Sequence, residues 1–313
     1  MDLKSYDVIV VNSSAGKDSL AMLDYICEMA REQGVLDRVT VVHADLGRVE
    51  WAGTKELAER QAVAQGVPFR AIARPQGDLL QHVEARGQWP SNTARYCTSD
   101  HKRGQVRVVI TDLVRHVAKR PGRRVRVLNC MGMRAQESPA REKLAAFEHC
   151  ASKTCPCLEC DDMRRTASGS WLHEPQSSGF RKTYCGCAHD APIAEARRRL
   201  GDGNSNTKRH VDDWLPLHTW TEKQVWERIR SRGLEAHPAY SLGMPRLSCC
   251  FCIFATRDAL LIAGHNNRAL LAEYVAVEAR IGHTFTKKLP IAKIAQAVDA
   301  GEQASGKVES WCM

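Results

Sequence analysis

The segment Ser13–Ser19 has the composition of an anion-binding loop. It follows a β-branched run, Asp7–Asn12, and precedes apolar residues that recur at helical spacing as far as Gly34. Small side chains let backbone N–H groups approach phosphate oxygens, and the helix that follows points its positive end toward them. A lysine adds a mobile charge, and the hydroxyls add hydrogen-bond donors. The alternative is a tight strand-to-helix turn. We predict a phosphate site formed by Ser13, Ser14, Ala15, Gly16, Lys17, Asp18 and Ser19.

This loop differs from a Walker A loop. Asp18 stands where that motif needs Ser or Thr, and no glycine lies five residues before Gly16. Instead, the pattern Ser-x-Gly-Lys-Asp-Ser resembles the pyrophosphate loop of the N-type ATP pyrophosphatases, in their phosphoadenosine-phosphosulfate-reductase-like branch. Four further segments resemble motifs of that branch and occur in the same order. They are Arg95–Thr98 with Lys102, Gly132–Ser138 with Arg141, Pro216–Thr221 with His237–Tyr240, and Arg246–Cys252.

The resemblance implies that ATP is cleaved between its α and β phosphates, which gives an adenylated substrate and pyrophosphate. The loop, Lys17 and Mg²⁺ would hold the departing pyrophosphate, whose negative charge grows as the bond breaks. Arg134 and Arg141 would cover the α-phosphate, since a planar guanidinium can grip two oxygens. The catalytic residues expected on this basis are Lys17, Asp18, Ser19, Arg134 and Arg141. Further nucleotide contacts are expected from Asp45, Thr98, Lys102 and Gly132.

Structural alternatives exist for three of these residues. The run Val39–Ala44 predicts the second strand, and Asp45 lies at its carboxyl end, where ligands bind in open α/β sheets. A carboxylate at that position can also serve only the turn. Arg134 and Arg141 could instead pair at the surface with Glu137 and Glu142.

The charge of the chain favours a polyanionic partner, because 45 Lys and Arg against 36 Asp and Glu give a net charge of +9. A basic run without acids extends from Arg115 to Arg126, for which a solvated helix end and loop is the alternative. The intact loop, the basic charge and the many cysteines most resemble the ATP pyrophosphatase component of DNA phosphorothioation systems. That resemblance implies DNA as substrate and a cysteine desulfurase as the partner that donates sulfur. A tRNA or an acidic protein would suit the charge equally, and the oligomeric state stays open.

Three other functions remain as alternatives. Sulfonucleotide reductases of the same branch attack sulfur with a cysteine near the C-terminus, in a Glu-Cys-Gly-aliphatic-His segment. This chain has Cys312 without that neighbourhood, and it retains the Gly-Lys-Asp sequence that reductases tend to lose. A small subunit of sulfate adenylyltransferase shares the loop and the Cys-Thr segment. A nucleotide-sensing or nucleic-acid-binding module that does not cleave ATP is the non-enzymatic alternative.

Thirteen cysteines in a chain without an export signal favour metal binding or thiol chemistry over disulfides. Five of them lie in the middle of the chain, and two short pairs brought together by a loop could supply the four ligands of a zinc ion. Surface thiols, an iron–sulfur site and sulfur-relay cysteines are the alternatives. The five are Cys155, Cys157, Cys160, Cys185 and Cys187.

A second group, Cys249 and Cys252 with Cys250 between them, falls in the last motif. The resemblance implies a possible [4Fe–4S] cluster, which needs four thiolates, and the family pattern offers Cys97 and Cys250 as the other two. A structural turn without metal is one alternative. A redox or persulfide role is another, because a basic neighbour such as Arg246 lowers the pKa of a thiol.

The alternation of apolar strands and amphipathic helices predicts an α/β fold: a Rossmann-like parallel sheet with helices on both faces. We expect a nucleotide-binding α/β domain over 1–149, a Cys-rich and possibly metal-stapled insertion over 150–206, and a helical part over 207–313 that completes the catalytic domain. Because no apolar run approaches the ~20 residues of a bilayer span, and no signal peptide is evident, we expect a cytoplasmic protein without membrane contact.

Overall fold

A computed structural model describes residues 1–117, 124–150, 205–206 and 208–305. These residues form a six-stranded sheet with the order β3-β2-β1-β4-β6-β5, in which β5 alone is antiparallel to its neighbour. The order reverses between β1 and β4, the position at which open α/β sheets bind ligands. The strands are β1 (Val8–Ser13), β2 (Val39–Asp45), β3 (Phe69–Ala73), β4 (Val125–Cys130), β5 (Phe147–Cys150) and β6 (Arg209–Trp214).

Helices cover both faces of the sheet, so the predicted fold class is confirmed. Among the described residues they are α1 (Lys17–Glu32), α2 (Thr54–Ala64), α3 (Leu79–Arg86), α4 (Tyr96–Thr98), α5 (Gly104–His116), α6 (Pro139–Glu142), α7 (Glu222–Ser231), α8 (Arg257–Asn266), α9 (Arg268–Ile281) and α10 (Ile291–Asp299).

The central strand β1 is buried on both faces because its side chains alternate between two apolar layers. Ile9 and Val11 pack in the layer that contains the apolar face of α1. Val8 and Val10 pack in the opposite layer, with Val109 and Ile110 of α5 among others. A third cluster joins α3 to the helices after residue 256. The two layers fix β1 and therefore the loop that leaves its carboxyl end.

Two strands, β5 and β6, were not predicted from the sequence. The part of the chain from 207 onward, expected to be helical, begins with β6, which pairs with β4 inside the sheet. Its sequence, Arg-His-Val-Asp-Asp-Trp, lacks the β-branched run by which the other buried strands are identified. Asp212 is nevertheless only 1% exposed, because Tyr6 donates a hydrogen bond to it and His210 lies beside it. Burial of a carboxylate with such partners is what permits a polar strand here.

Two helix starts are also corrected. The spacing of apolar residues predicts one helix from Asn266 to Ile281, and the structure begins that helix, α9, at Arg268. Asn267, which has an irregular backbone, separates α9 from α8. Pro290 is expected as the first residue of the last helix, but it precedes that helix, and α10 begins at Ile291. The sequence Thr221-Glu222-Lys223-Gln224 predicts a capping box, which the structure confirms: the Thr221 side chain accepts from the Gln224 N–H, and the Gln224 side chain accepts from the Thr221 N–H.

Candidate nucleotide-binding site

The loop after β1 is folded by its own hydroxyl groups. The Ser13 hydroxyl accepts the Ala15 N–H at 3.1 Å, and the Ser19 hydroxyl accepts the Ser14 N–H at 3.2 Å while donating to the Gly16 carbonyl. Ala15 has a φ of 56°, a conformation that residues other than glycine rarely adopt. The hydroxyls that we expected to serve as phosphate donors at Ser13 and Ser19 therefore shape the loop in this structure.

Lys17 lies buried at the first turn of α1, with 2% of its surface exposed. Its Nζ is 3.2 Å from Asp18 Oδ2, 3.5 Å from Glu222 Oε1 and 3.4 Å from the carbonyl oxygen of Pro245. An ammonium group has three donors, so these three oxygens match its capacity. A phosphate entering the loop would have to replace at least one of them, and Glu222 is half-exposed and can move away.

Arg134 reaches the same carboxylate from the other side. Its side chain is 3% exposed, and its Nε donates to Asp18 Oδ1 at 2.5 Å. Its second contact is the side-chain oxygen of Gln136, which also accepts the Glu222 N–H. The surface pairing with Glu137 considered from the sequence is therefore wrong for the Arg134 side chain. Arg134 contacts Glu137 through its backbone, whose N–H donates to the Glu137 carboxylate and whose carbonyl accepts the Glu137 N–H.

Arg141 does pair with Glu137, as the structural alternative held. Glu137 also receives the guanidinium of Arg246, at 3.2 Å, so one carboxylate joins two arginines from distant parts of the chain. Burial and the positive charge of Arg246 lower the pKa of Arg141, whereas Glu137 raises it. Arg141 is half-buried within this network.

The chain segments that carry these side chains are joined by backbone hydrogen bonds. Gly132–Ser138 follows β4, and Pro216–Thr221 follows β6, so the parallel pairing of the two strands brings both segments to one edge of the sheet. There the Ala135 N–H donates to the His218 carbonyl at 2.8 Å, and the His218 ring contacts the Arg141 carbonyl.

Gly132 lies where the segment after β4 touches α1. A Cβ added to it would lie 3.1 Å from the backbone C and O atoms of Asp18 and from the backbone N of Ser19. Gly132 thus packs against the loop Ser13–Ser19, here called the phosphate loop. Its contact with a nucleotide stays a prediction.

Asp45 lies at the edge of a cleft of about 410 Å³ beside the carboxyl end of β2. Its Oδ1 accepts the Gly47 N–H at 2.8 Å, and its Oδ2 is 3.6 Å from the Lys55 ammonium. It therefore closes the turn, as the structural alternative held, and it also lines this cleft. The cleft is also lined by Glu50, Trp51, Thr54, Asn267 and Leu270 among others.

Thr98 and Lys102 lie on α4 and on the single π-helical turn that follows it, Ser99–Arg103. Burial raises the pKa of both Cys249 and Cys252, and the positive charge of the exposed Lys102 acts in the opposite direction without outweighing it. The structure thus brings the Lys102 charge toward the two cysteines.

The iron–sulfur cluster considered for the cysteines of the last motif stays a prediction. Within the described parts of the chain, no three His, Cys, Asp or Glu side chains come close enough together to hold a metal ion. Cys250 is 1% exposed in the apolar core, and burial raises the pKa of Cys249, Cys250 and Cys252. The five cysteines expected to bind zinc (Cys155, Cys157, Cys160, Cys185 and Cys187) lie outside the described residues.

Comparison with known proteins places the chain in a family. Residues 8–255 match the phosphoadenosine phosphosulfate reductase domain, a span that contains every motif above. The chain belongs to this family. The family includes enzymes, and the match agrees with the branch that the loop and the later motifs indicated.

Individual relatives are distant. An uncharacterized 37.8 kDa protein in the gpa 5′ region of Escherichia phage 186 is 24% identical over 207 residues, which is 65% of this chain and 43% of that protein. The chain thus spans less than half the length of this curated relative. A phosphoadenylyl-sulfate reductase from Candida auris, crystallised as a phosphate complex, is 15% identical, with a TM-score of 0.43 over 79% of this chain and 84% of that one. No helix within the described residues is long and apolar enough to cross a membrane.

Four residues of the site were not assigned from the sequence: Glu137, Glu222, Tyr240 and Arg246. Each lies in or directly beside a motif that the sequence analysis quoted, so the motif boundaries were the available signal. Glu222 and Tyr240 contact Lys17 from the far end of the chain, and Arg246 contacts Glu137 across more than 100 positions; spacing alone does not reveal such contacts.

We expect Gly132→Ala to disturb the loop although it removes no functional group. The methyl group would meet backbone atoms of the first turn of α1, which cannot rotate away as a side chain could. We predict a loss of about 1–3 kcal/mol in the free energy of unfolding, measured by urea titration, together with weaker ATP binding. Gly66→Ala is the control for backbone strain without a clash. A methyl group there meets no atom within 4 Å, and only the positive φ of this position is unfavourable for alanine. Unchanged ATP affinity in Gly132→Ala would contradict the packing argument.

His43 holds the loop from beneath and gives a pH dependence. It is 1% exposed, with Nδ1 3.0 Å from the Ser13 carbonyl oxygen and Nε2 3.1 Å from Glu50 Oε2. Both partners are acceptors, so the doubly protonated ring fits the site. Burial lowers the pKa of His43, but the hydrogen bond and charge of Glu50, the Ser13 carbonyl and Asp45 outweigh it, and the pKa is raised.

We therefore expect the stabilisation by His43 to be fully present below its unfolded pKa, about 6.5, and to be lost as the pH rises through its higher folded pKa. Urea unfolding of the native protein and of His43→Gln should differ by about 1.5–3 kcal/mol at pH 5.5. The difference should shrink at pH 8–9. A difference that grows with pH would show that the neutral ring is the stabilising form.

Proposed function

We propose that the chain transfers the adenylyl group of ATP to an acceptor and releases pyrophosphate. Sulfur then attacks the adenylated acceptor and displaces AMP. The observation that carries this proposal is the buried group of Lys17, Asp18 and Arg134 at the first turn of α1. Two buried cations beside a helix N-terminus favour a bound polyphosphate. Lys17 would contact the β,γ-diphosphate, so a substrate without that group has little need of this lysine.

The residues act by positioning and by neutralising charge, which are the main contributions to phosphoryl and nucleotidyl transfer. Lys17 would exchange Glu222 for an oxygen of the departing pyrophosphate. Arg134 is held by Asp18 and Gln136 so that its side chain stays at the loop, and Glu137 pairs with both Arg141 and Arg246. The cleft beside Asp45 is the space that the nucleoside would fill.

Mg²⁺ is usually bound in proteins by one or two carboxylates together with substrate phosphates. The Asp18 carboxylate lies 3.2 Å from the Lys17 ammonium, so one carboxylate borders the place where the phosphates would bind. This donor set fits the ion. When bound, Mg²⁺ would neutralise part of the charge of the leaving pyrophosphate.

The acceptor in this proposal is the backbone phosphate of DNA, and a cysteine desulfurase supplies the sulfur. The net charge of +9 supports a nucleic-acid substrate, because neutralisation of phosphates drives DNA binding. The proposed partners also place the protein in the cytoplasm. A zinc ion on the central cysteines remains part of the proposal and is tested by elemental analysis of protein purified without chelators.

In the presence of Mg²⁺, we expect Lys17→Ala to release pyrophosphate from ATP at least a hundred-fold more slowly than the native protein does. The reason is that an ammonium group held beside the developing charge is lost. A coupled pyrophosphate assay and separation of AMP from ADP measure this. Lys223→Ala is the matched control: that lysine lies on α7 next to Glu222 but is exposed, so its loss should leave the rate unchanged. Formation of ADP and phosphate would contradict cleavage between the α and β phosphates.

A substitution at Cys312 distinguishes the proposed ATP cleavage from sulfonucleotide reduction. Cys312 lies outside the described residues. A reductase needs its C-terminal thiol as the attacking nucleophile. We expect Cys312→Ser to release pyrophosphate within three-fold of the native rate. Neither protein should form sulfite from adenylyl sulfate or its 3′-phosphate. Sulfite formation by the native protein with a thioredoxin-type reductant, lost in Cys312→Ser, would assign the reductase activity instead.

A further inference from the structure

The segment Pro238–Leu247, here called the strap, lies across the phosphate loop. Two of its groups contact Lys17 at the first turn of α1: the Tyr240 hydroxyl and the Pro245 carbonyl. A Cβ on Gly16 would lie 3.2 Å from the Tyr240 hydroxyl and 3.3 Å from the Leu247 Cβ. The loop therefore needs glycine at this position, because the strap is already packed against it.

The Tyr240 hydroxyl occupies the place at the helix N-terminus where a phosphate oxygen would otherwise bind. The Lys17 backbone N–H donates to it at 2.8 Å. Burial raises the pKa of Tyr240, although the backbone N–H groups of Lys17 and Leu247 and the charge of Arg246 act in the opposite direction. The hydroxyl is therefore neutral and keeps its proton at physiological pH.

A tyrosine hydroxyl has one donor and two acceptor sites. The Lys17 N–H uses an acceptor site, and the proton of the hydroxyl has no acceptor among the described residues. The ring is held in place, since it packs edge-on against Trp226 with ring centroids 5.1 Å apart. The Lys17 ammonium lies 5.7 Å from the Tyr240 ring centroid. A fixed, unused O–H donor thus lies on the phosphate loop, beside its lysine.

We propose that Tyr240 is a phosphate-binding residue whose O–H donates to the pyrophosphate end of ATP, and that it replaces the Lys17 backbone N–H in that role. This inference rests on the proposed function, because it requires a polyphosphate in the loop. It follows from the order of the contacts: the amide binds the hydroxyl, and the hydroxyl binds the anion. The strap then forms one wall of the pyrophosphate site, opposite the loop.

The first test is Tyr240→Phe, measured by isothermal titration with pyrophosphate, ATP and AMP. A hydrogen bond to a charged group is lost while the ring packing on Trp226 is kept, so pyrophosphate and ATP should bind at least ten-fold more weakly. AMP affinity should change less than three-fold, since AMP lacks the pyrophosphate. Tyr25→Phe is the matched control: Tyr25 lies on α1 and stacks against Trp220, away from the loop. It should bind all three ligands as the native protein does.

The second test separates donation from a purely structural role of the hydroxyl. A fluorine on the ring makes the hydroxyl a stronger donor and a weaker acceptor. Incorporation of 3-fluorotyrosine at position 240 should therefore leave pyrophosphate affinity equal or higher. If the hydroxyl acted only as an acceptor for the Lys17 amide, fluorination would weaken binding in the same direction as Tyr240→Phe.

Two results would overturn the inference: pyrophosphate affinity in Tyr240→Phe within three-fold of native, or weaker binding by the fluorotyrosine protein. Lys17→Ala distinguishes this from failure of the proposed function. If Lys17→Ala loses pyrophosphate binding while Tyr240→Phe does not, only the role of Tyr240 fails. If the native protein does not bind pyrophosphate or ATP, or Lys17→Ala binds them unchanged, the loop is not a polyphosphate site and both proposals fail.

Discussion

The Asp18 carboxylate between Lys17 and Arg134 is the interaction on which the site depends. All three side chains are largely removed from solvent, and a buried ion without partners costs several kcal/mol. Asp18 and Lys17 belong to α1, whereas Arg134 belongs to the segment after β4. Their pairing is therefore possible only because β1 and β4 are neighbours in the sheet. The sheet order and the ion pairs support each other.

Around this carboxylate, the cations are held in pairs. Lys17 and Arg134 share Asp18, and Arg141 and Arg246 share Glu137. Each carboxylate therefore holds two cations in place, which would lower the cost of arranging them around the proposed polyphosphate. Glu222 differs from the two shared carboxylates, because it is half-exposed and contacts only Lys17 among these cations. It is the partner that can leave at the lowest cost.

The sequence predicted those parts of the site that depend on local pattern. The β-branched strand before Ser13, the small residues of the loop and the helix after it are adjacent in the chain, and the structure has them where expected. It did not predict β6, because that strand is polar and is buried through hydrogen bonds of Asp212. Nor did it predict that Tyr240 would contact Lys17, since 223 positions separate them and only the fold brings them together.

Family membership alone does not select between a polyphosphate and a sulfonucleotide, and the charges at the site bear on that choice. Among the described residues, the ion pairs centred on Asp18 and Glu137 contain four cations, Lys17, Arg134, Arg141 and Arg246, against the three carboxylates of Asp18, Glu137 and Glu222. If Glu222 turns toward solvent, the excess rises from one positive charge to two. An excess of this size at a helix N-terminus suits a ligand that carries several negative oxygens, as the pyrophosphate end of ATP does. The charges at the loop thus agree with the proposed polyphosphate ligand.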